Sequence, residues 1–156
     1  MSLLLAIGVA AAAGVALATV ARRPAAPAPP GEELGAPPEQ IAVVDAGTLR
    51  FGDRVVRLQA VDPPSHSTKC SGEDCGAAAA NALAAMVRDA PVLCRLVGAD
   101  GFGRAYGVCR SGETKLNVAI VAAGWARASG DAPDLKAAEL AARADRRGVW
   151  ARNLSP

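Results

Sequence analysis

Six prolines fall between Pro24 and Pro38, and a stretch so short of amide donors sustains neither a helix nor a sheet ladder. It is expected to run extended as a semi-rigid spacer, and it divides the chain into three parts. Residues 1–21 form a run that is uncharged from Ser2 to Ala21, mostly Ala, Val and Leu. Residues 22–39 are the spacer. Residues 40–156 have the composition of an ordinary globular domain, large enough for one hydrophobic core.

The apolar run sets the expected location. Twenty helical residues span roughly 30 Å, the thickness of a bilayer's hydrocarbon core. No Lys or Arg precedes the run, which is unlike a secretory signal, so an uncleaved membrane anchor is the favoured expectation. The alternatives are a signal removed near Thr19-Val20-Ala21 and a buried Ala-rich helix. Arg22 and Arg23 after the run would hold that side in the cytoplasm, whereas four cysteines favour an oxidising side, and the cysteines are given more weight. Gly8, Gly14 and the many alanines suit close packing against another transmembrane helix. The expected partners are therefore the membrane and an integral membrane complex.

Charge and aromatic content narrow the remaining classes. A formal charge of +2 does not by itself mark a nucleic-acid surface, and 3% aromatics argues against base-stacking platforms. Nucleic acid stays a possible but unfavoured partner.

In the third part, Ile41–Val44, Thr48–Phe51 and Val55–Val61 read as strands, with a hairpin turn at Gly52-Asp53. Val56, Leu58 and Ala60 alternate onto one face of the last. Asp74 is placed to cap a helix reaching about Arg88, with Leu83, Met86 and Val87 on its apolar face. Pro91–Val97 and Arg104–Cys109 form two further strands around Asp100-Gly-Phe-Gly103. Leu116, Ala119, Ile120 and Ala123 recur at helical spacing before Gly124, and a last helix opens near Asp131 and Pro133. Three strands, a helix, two strands and two helices make a mainly β, α+β domain: a small five-stranded barrel with flanking helices.

From about Val43 to Ala151 the chain resembles the staphylococcal-nuclease (thermonuclease) family of calcium-dependent phosphodiesterases, which fold as an OB barrel with helices. The resemblance rests on five collinear segments: Val43-Val-Asp-Ala-Gly-Thr-Leu49, Arg57-Leu-Gln-Ala-Val-Asp-Pro-Pro64, Asp100-Gly-Phe-Gly-Arg104, Leu116-Asn117 through Gly124-Trp-Ala126, and Ala138-Glu139 through Gly148-Val-Trp-Ala151. It implies that Arg57 and Arg104 sit where two arginines clamp a phosphate. Asp62 falls at a calcium ligand and Asp45 at a peripheral carboxylate. It also implies losses. Gly47 stands at a second calcium ligand and Ser65 at the glutamate that acts on water, while Pro63 replaces a polar residue. Calcium affinity falls with ligand charge, and losing a general base costs about 10²–10⁴-fold in rate. His66, Glu73 and Asp74 are the local candidates to substitute; an exposed loop residue and two helix-entry charges are the plainer readings.

Cys94 and Cys109 are equidistant from the centre of the Asp100–Gly103 turn, so an unbulged hairpin would oppose them for a disulfide. Cys70 and Cys75 flank a loop that can close on itself. Exported members of the family often have a similar pattern. A zinc site and reduced core thiols remain as alternatives.

The expected function is a membrane-tethered nuclease-fold module without activity, serving as an accessory or binding subunit on the periplasmic or equivalent oxidising side, with no cofactor. The alternative is a working calcium-dependent phosphodiesterase with a rearranged site. Anion binding by Arg57 and Arg104 without cleavage is the third possibility.

Overall fold

The computed structural model describes residues 29–70 and 73–151. The expected membrane segment, Ser2 to Ala21, lies outside them, and among the described residues no helix is long and apolar enough to cross a membrane.

The chain enters as β1 (Glu33–Ala36), makes a short 3-10 turn at Pro38–Gln40, and continues through β2 (Ile41–Asp45), β3 (Thr48–Phe51) and β4 (Arg54–Leu58). Two-residue strands β5 (Val61–Asp62), β6 (Lys69–Cys70) and β7 (Glu73–Asp74) lead to α1 (Cys75–Val87). The hairpin β8 (Val92–Ala99) and β9 (Ala105–Ser111) follows, then β10 (Thr114–Lys115), α2 (Leu116–Ala122), β11 (Arg127–Ala128) and α3 (Pro133–Ala144).

The main sheet runs β1-β8-β9-β4-β3-β2, with β10 added on β9. All neighbours are antiparallel except β4 and β9. It curls into a half-barrel with helices packed on it, a mixed α+β arrangement consistent with an OB-like fold. Period-two burial builds the core: Val56 and Leu58, then Val92, Cys94 and Leu96, then Ala105 and Cys109 turn inward. The helices add Leu83, Leu116, Ile120 and Leu135.

Two expectations are corrected. The spacer does not stay free of sheet as far as residue 39. No proline lies from Gly31 to Ala36, so every amide there is free to pair, and Glu33 to Ala36 form a ladder with Arg95 to Val92. Gly31 N donates to the Leu96 carbonyl and Leu96 N to that of Glu32. Glu32 grips Arg54 with two bonds of 2.5 and 3.1 Å, which hold the Glu32 carboxyl below its ordinary range. The strand expected over Val55–Val61 also breaks. Ala60 takes a positive φ of 59°, so the chain turns out after Leu58, and Val61-Asp62 pair instead with β11.

Both cysteine pairs are joined, Cys94 to Cys109 and Cys70 to Cys75. The first meets its partner by a route other than the one expected. Ala99 faces Ala105 across a five-residue loop, one longer than the expected turn, and a bulge between Leu96 and Gly98 restores Cys94 opposite Cys109. Two disulfides point to an oxidising, extracellular-type environment.

Asn117, at the start of α2, is 4% exposed and fully bonded. Its Oδ1 accepts from Cys109 N at 2.9 Å, and its Nδ2 donates to the carbonyls of Gln59 at 3.0 Å and Gly107 at 3.1 Å.

Three outcomes are expected. Asn117→Ala orphans these buried groups and should lower the unfolding free energy in urea by roughly 2–4 kcal/mol. Replacing Cys94 and Cys109 together with alanine should cost about 3 kcal/mol, the loop-closure value for a ring of that size, in the same measurement. For Glu32, the depressed carboxyl stabilises the fold above its unfolded pKa and loses that effect as pH falls through the lower folded value. Glu32→Gln should therefore flatten the acid limb of a stability–pH curve while leaving the alkaline limb unchanged.

Candidate functional site

The opening turn of the site is built by its own acid. Asp45 ends β2, and its Oδ1 accepts from Gly47 N at 2.7 Å, closing an Asx turn into β3. The Gly47 carbonyl in turn accepts from Leu58 N at 2.7 Å. Asp45, Thr48, Arg57 and Tyr106 are successive cross-strand partners on β2, β3, β4 and β9, so they share one face of the sheet. Arg57 is half-buried there, and its guanidinium has no hydrogen bond or ion pair among the described residues.

Gly47 is buried, and what buries it is Pro63. A Cβ added at Gly47 would stand 3.1 Å from both Cγ and Cδ of the Pro63 ring and 3.5 Å from Val61 Cγ1. The absence of a side chain at 47 and the ring at 63 are thus one packing arrangement. A side chain at 47 would require the ring at 63 to shift by a few tenths of an ångström.

Asp62 lies just beyond the Ala60 turn, exposed, opposite Arg127. It lines a hollow of about 220 Å³ with Pro63, Pro64, Thr68 and Arg127. Ser65 is turned to structural use. Its hydroxyl is 2.9 Å from that of Thr68, and its carbonyl accepts from Thr68 N at 2.9 Å. His66 is exposed, and its backbone lies on the first turn of α1, so close that a Cβ on Gly76 would come within 2.7 Å of His66 Cα. Asp74 caps α1 by accepting from Ala77 N at 2.9 Å, which lowers its pKa. Glu73 is exposed beside it on β7.

Arg104 follows the hairpin loop. Its Nε donates to Asp100 Oδ2 at 2.6 Å, while Asp100 Oδ1 accepts from the amides of Phe102 and Arg104, both at 2.9 Å. Partial burial pushes the Asp100 carboxyl up, and these bonds together more than offset it, leaving its pKa lowered. The Arg104 guanidinium also stacks over the Phe102 ring at 5.4 Å. Its two terminal nitrogens make no bond among the described residues.

Among the described residues no three His, Cys, Asp or Glu side chains converge to hold a metal ion. Calcium takes several oxygen ligands, most of them charged. Asp45 is engaged by its own turn, Gly47 is covered by Pro63, Ser65 is bonded to Thr68, and Asp62 stands alone. This donor set does not fit the calcium that the resemblance implies. Cys70 and Cys75 pack with Val149, Trp125 and Trp150, tying the loop after Asp62 to the C-terminal segment.

Reading the sequence overlooked two structural roles here. The cover that Pro63 places over Gly47 has no signature in one dimension. The hold of Asp100 on Arg104 does: an acid four residues before an arginine, across a Gly-rich turn, is a spacing that permits it.

No curated protein matches the chain. The family model described as staphylococcal nuclease homologue matches residues 55–152, from β4 to the C-terminal segment. That is more than half of the sequence, and the chain belongs to the staphylococcal nuclease homologue family.

Proposed function

We propose that this chain is a membrane-tethered member of its family without hydrolytic activity, acting as an accessory or binding subunit of a membrane complex on the oxidising side. The observation that carries the reading is the Gly47–Pro63 contact. Gly47 offers no ligand atom of its own, and the close packing of Pro63 disfavours a side chain there. Ser65, held by Thr68, supplies no base near neutral pH. The uncharged run from Ser2 to Ala21 supports the tether, and the two disulfides support the compartment.

A second reading has its own support. Arg57 is unengaged and Arg104 presents a free fork, so the same surface is suited to binding a phosphate-like anion without cleaving it.

The full-length protein in detergent should show no calcium-dependent cleavage of DNA or RNA. Gly47→Asp with Ser65→Glu should still bind no calcium by calorimetric titration, because Pro63 remains in place. Adding Pro63→Ser should bring weak binding. Calcium-dependent hydrolysis by the unmodified chain, abolished by Arg57→Ala, would overturn the inactive reading. Recovery of the tagged protein from native membranes without any stoichiometric partner would overturn the accessory role.

A further inference from the structure

A half-open groove of about 440 Å³ lies between the outer face of the β8–β9 hairpin and helices α2 and α3, lined by neither Asp45, Gly47 nor Asp62. Leu93, Val108, Val118 and Leu135 give it an apolar floor. Val108 is 44% exposed and is one of few large apolar side chains in open solvent among the described residues. Arg95, Arg110 and Lys115 stand on its rim.

The register makes these cations neighbours. Arg110 is directly opposite Lys115 on β10 and Leu93 on β8, and Arg95 is opposite Val108. Arg95 and Arg110 are therefore diagonal, about 7–8 Å apart at the backbone. Like charges directly across a ladder destabilise it, and among the described residues neither Arg110 nor Lys115 forms an ion pair. Arg110 Nη1 donates to the Gly112 carbonyl at 3.0 Å, and Arg95 and Lys115 have no side-chain bond among the described residues. Among the described residues Arg54, Lys69, Arg88, Arg104, Lys136, Arg143 and Arg147 sit in ion pairs, whereas Arg50, Arg57, Arg127 and Arg146 are likewise without one but do not face another cation across a ladder. Of the groove's two acids, Glu33 is directly opposite Arg95 and so offsets that cation rather than the Arg110–Lys115 pair, and Asp134 accepts from the amide of Leu135. Pockets of some 300–1,000 Å³ with apolar walls and a few convergent polar groups are the common form of small-molecule sites.

We propose that this groove binds a small amphiphilic carboxylate, free in solution. Its apolar part rests on the floor, and its carboxylate lies between Arg110 and Lys115, with Arg95 beside it. The bound anion relieves the like-charge pair, so the cost of that pair is the source of selectivity for acid over neutral analogue. The site is independent of the family's phosphate and metal positions and does not depend on the function proposed above.

The test is photolabelling of the full chain in zwitterionic nanodiscs with a diazirine-bearing octanoate, its sites mapped by peptide mass spectrometry. Saturable labelling at Leu93, Val108 or Val118 is expected, with the matching octanamide at least tenfold weaker. Arg110→Gln with Lys115→Gln should raise the half-saturating concentration roughly tenfold, the order expected for losing charge-assisted hydrogen bonds, with an unchanged circular dichroism spectrum. Val108→Glu, which puts a carboxylate of the chain's own into the groove, should suppress labelling. Equal labelling by acid and amide, indifference to both variants, or labels confined to other parts of the chain would overturn the proposal. So would occupancy seen only when the nanodisc carries anionic phosphatidylglycerol, which would assign the groove to a lipid headgroup.

Discussion

The carboxamide of Asn117 is where the three parts of this domain are tied together. It accepts from the backbone of Cys109 and donates to the carbonyls of Gly107 and Gln59. One side chain therefore joins the start of α2, the middle of β9 and the exit of β4. Gln59 N donates to the same Gly107 carbonyl, which completes the junction. Just past it Ala60 adopts its positive φ and swings the chain off the sheet towards Asp62 and Pro63. The path of the site loop is thus set by a buried polar group, because an amide in an apolar core is tolerated only when each donor and acceptor is met.

The residues around the Asp45 turn and the Asp62 loop are engaged by the scaffold itself. Asp45 holds the turn that contains Gly47, Ser65 holds the turn that contains Thr68, and Pro63 packs on Gly47. Each has a structural partner close by in sequence or space. The two arginines differ from them. Arg57 has no hydrogen bond or ion pair among the described residues, and Arg104 is held by Asp100 through Nε alone. Of the two, only the Arg57 charge is without an ion-pair partner among the described residues, since Asp100 pairs with Arg104.

The parts of the fold legible in the sequence were those governed by local periodicity. β2, β3, β8 and β9 showed as alternating or apolar runs, α1 through the Asp74 cap and the spacing of its buried residues, and α2 through its stop at Gly124. β1 was missed because prolines on both sides set the reading for the whole stretch. Its evidence is a pairing with β8 some sixty positions away, which no local window contains. The end of β4 was misread for a similar reason: Ala60 continues the alternation of Val56 and Leu58, but its positive φ and the Asn117 bond to the Gln59 carbonyl end the strand first. At the candidate site, the identities at Gly47 and Ser65 were readable, while their new contacts are tertiary and were not.

The β8–β9 hairpin is pinned at its base and adjustable at its tip. Its loop is one residue longer than a symmetrical four-residue turn, and the bulge at Val97 absorbs the difference before the strand reaches Cys94. The disulfide holds Cys94 opposite Cys109, so a residue lost from the loop only shortens the tip and loss of Val97 only straightens the strand. The inward side chains of β8 keep their face in either case, and the tip that carries Phe102 and Arg104 is the part of the hairpin where length can change without disturbing the core.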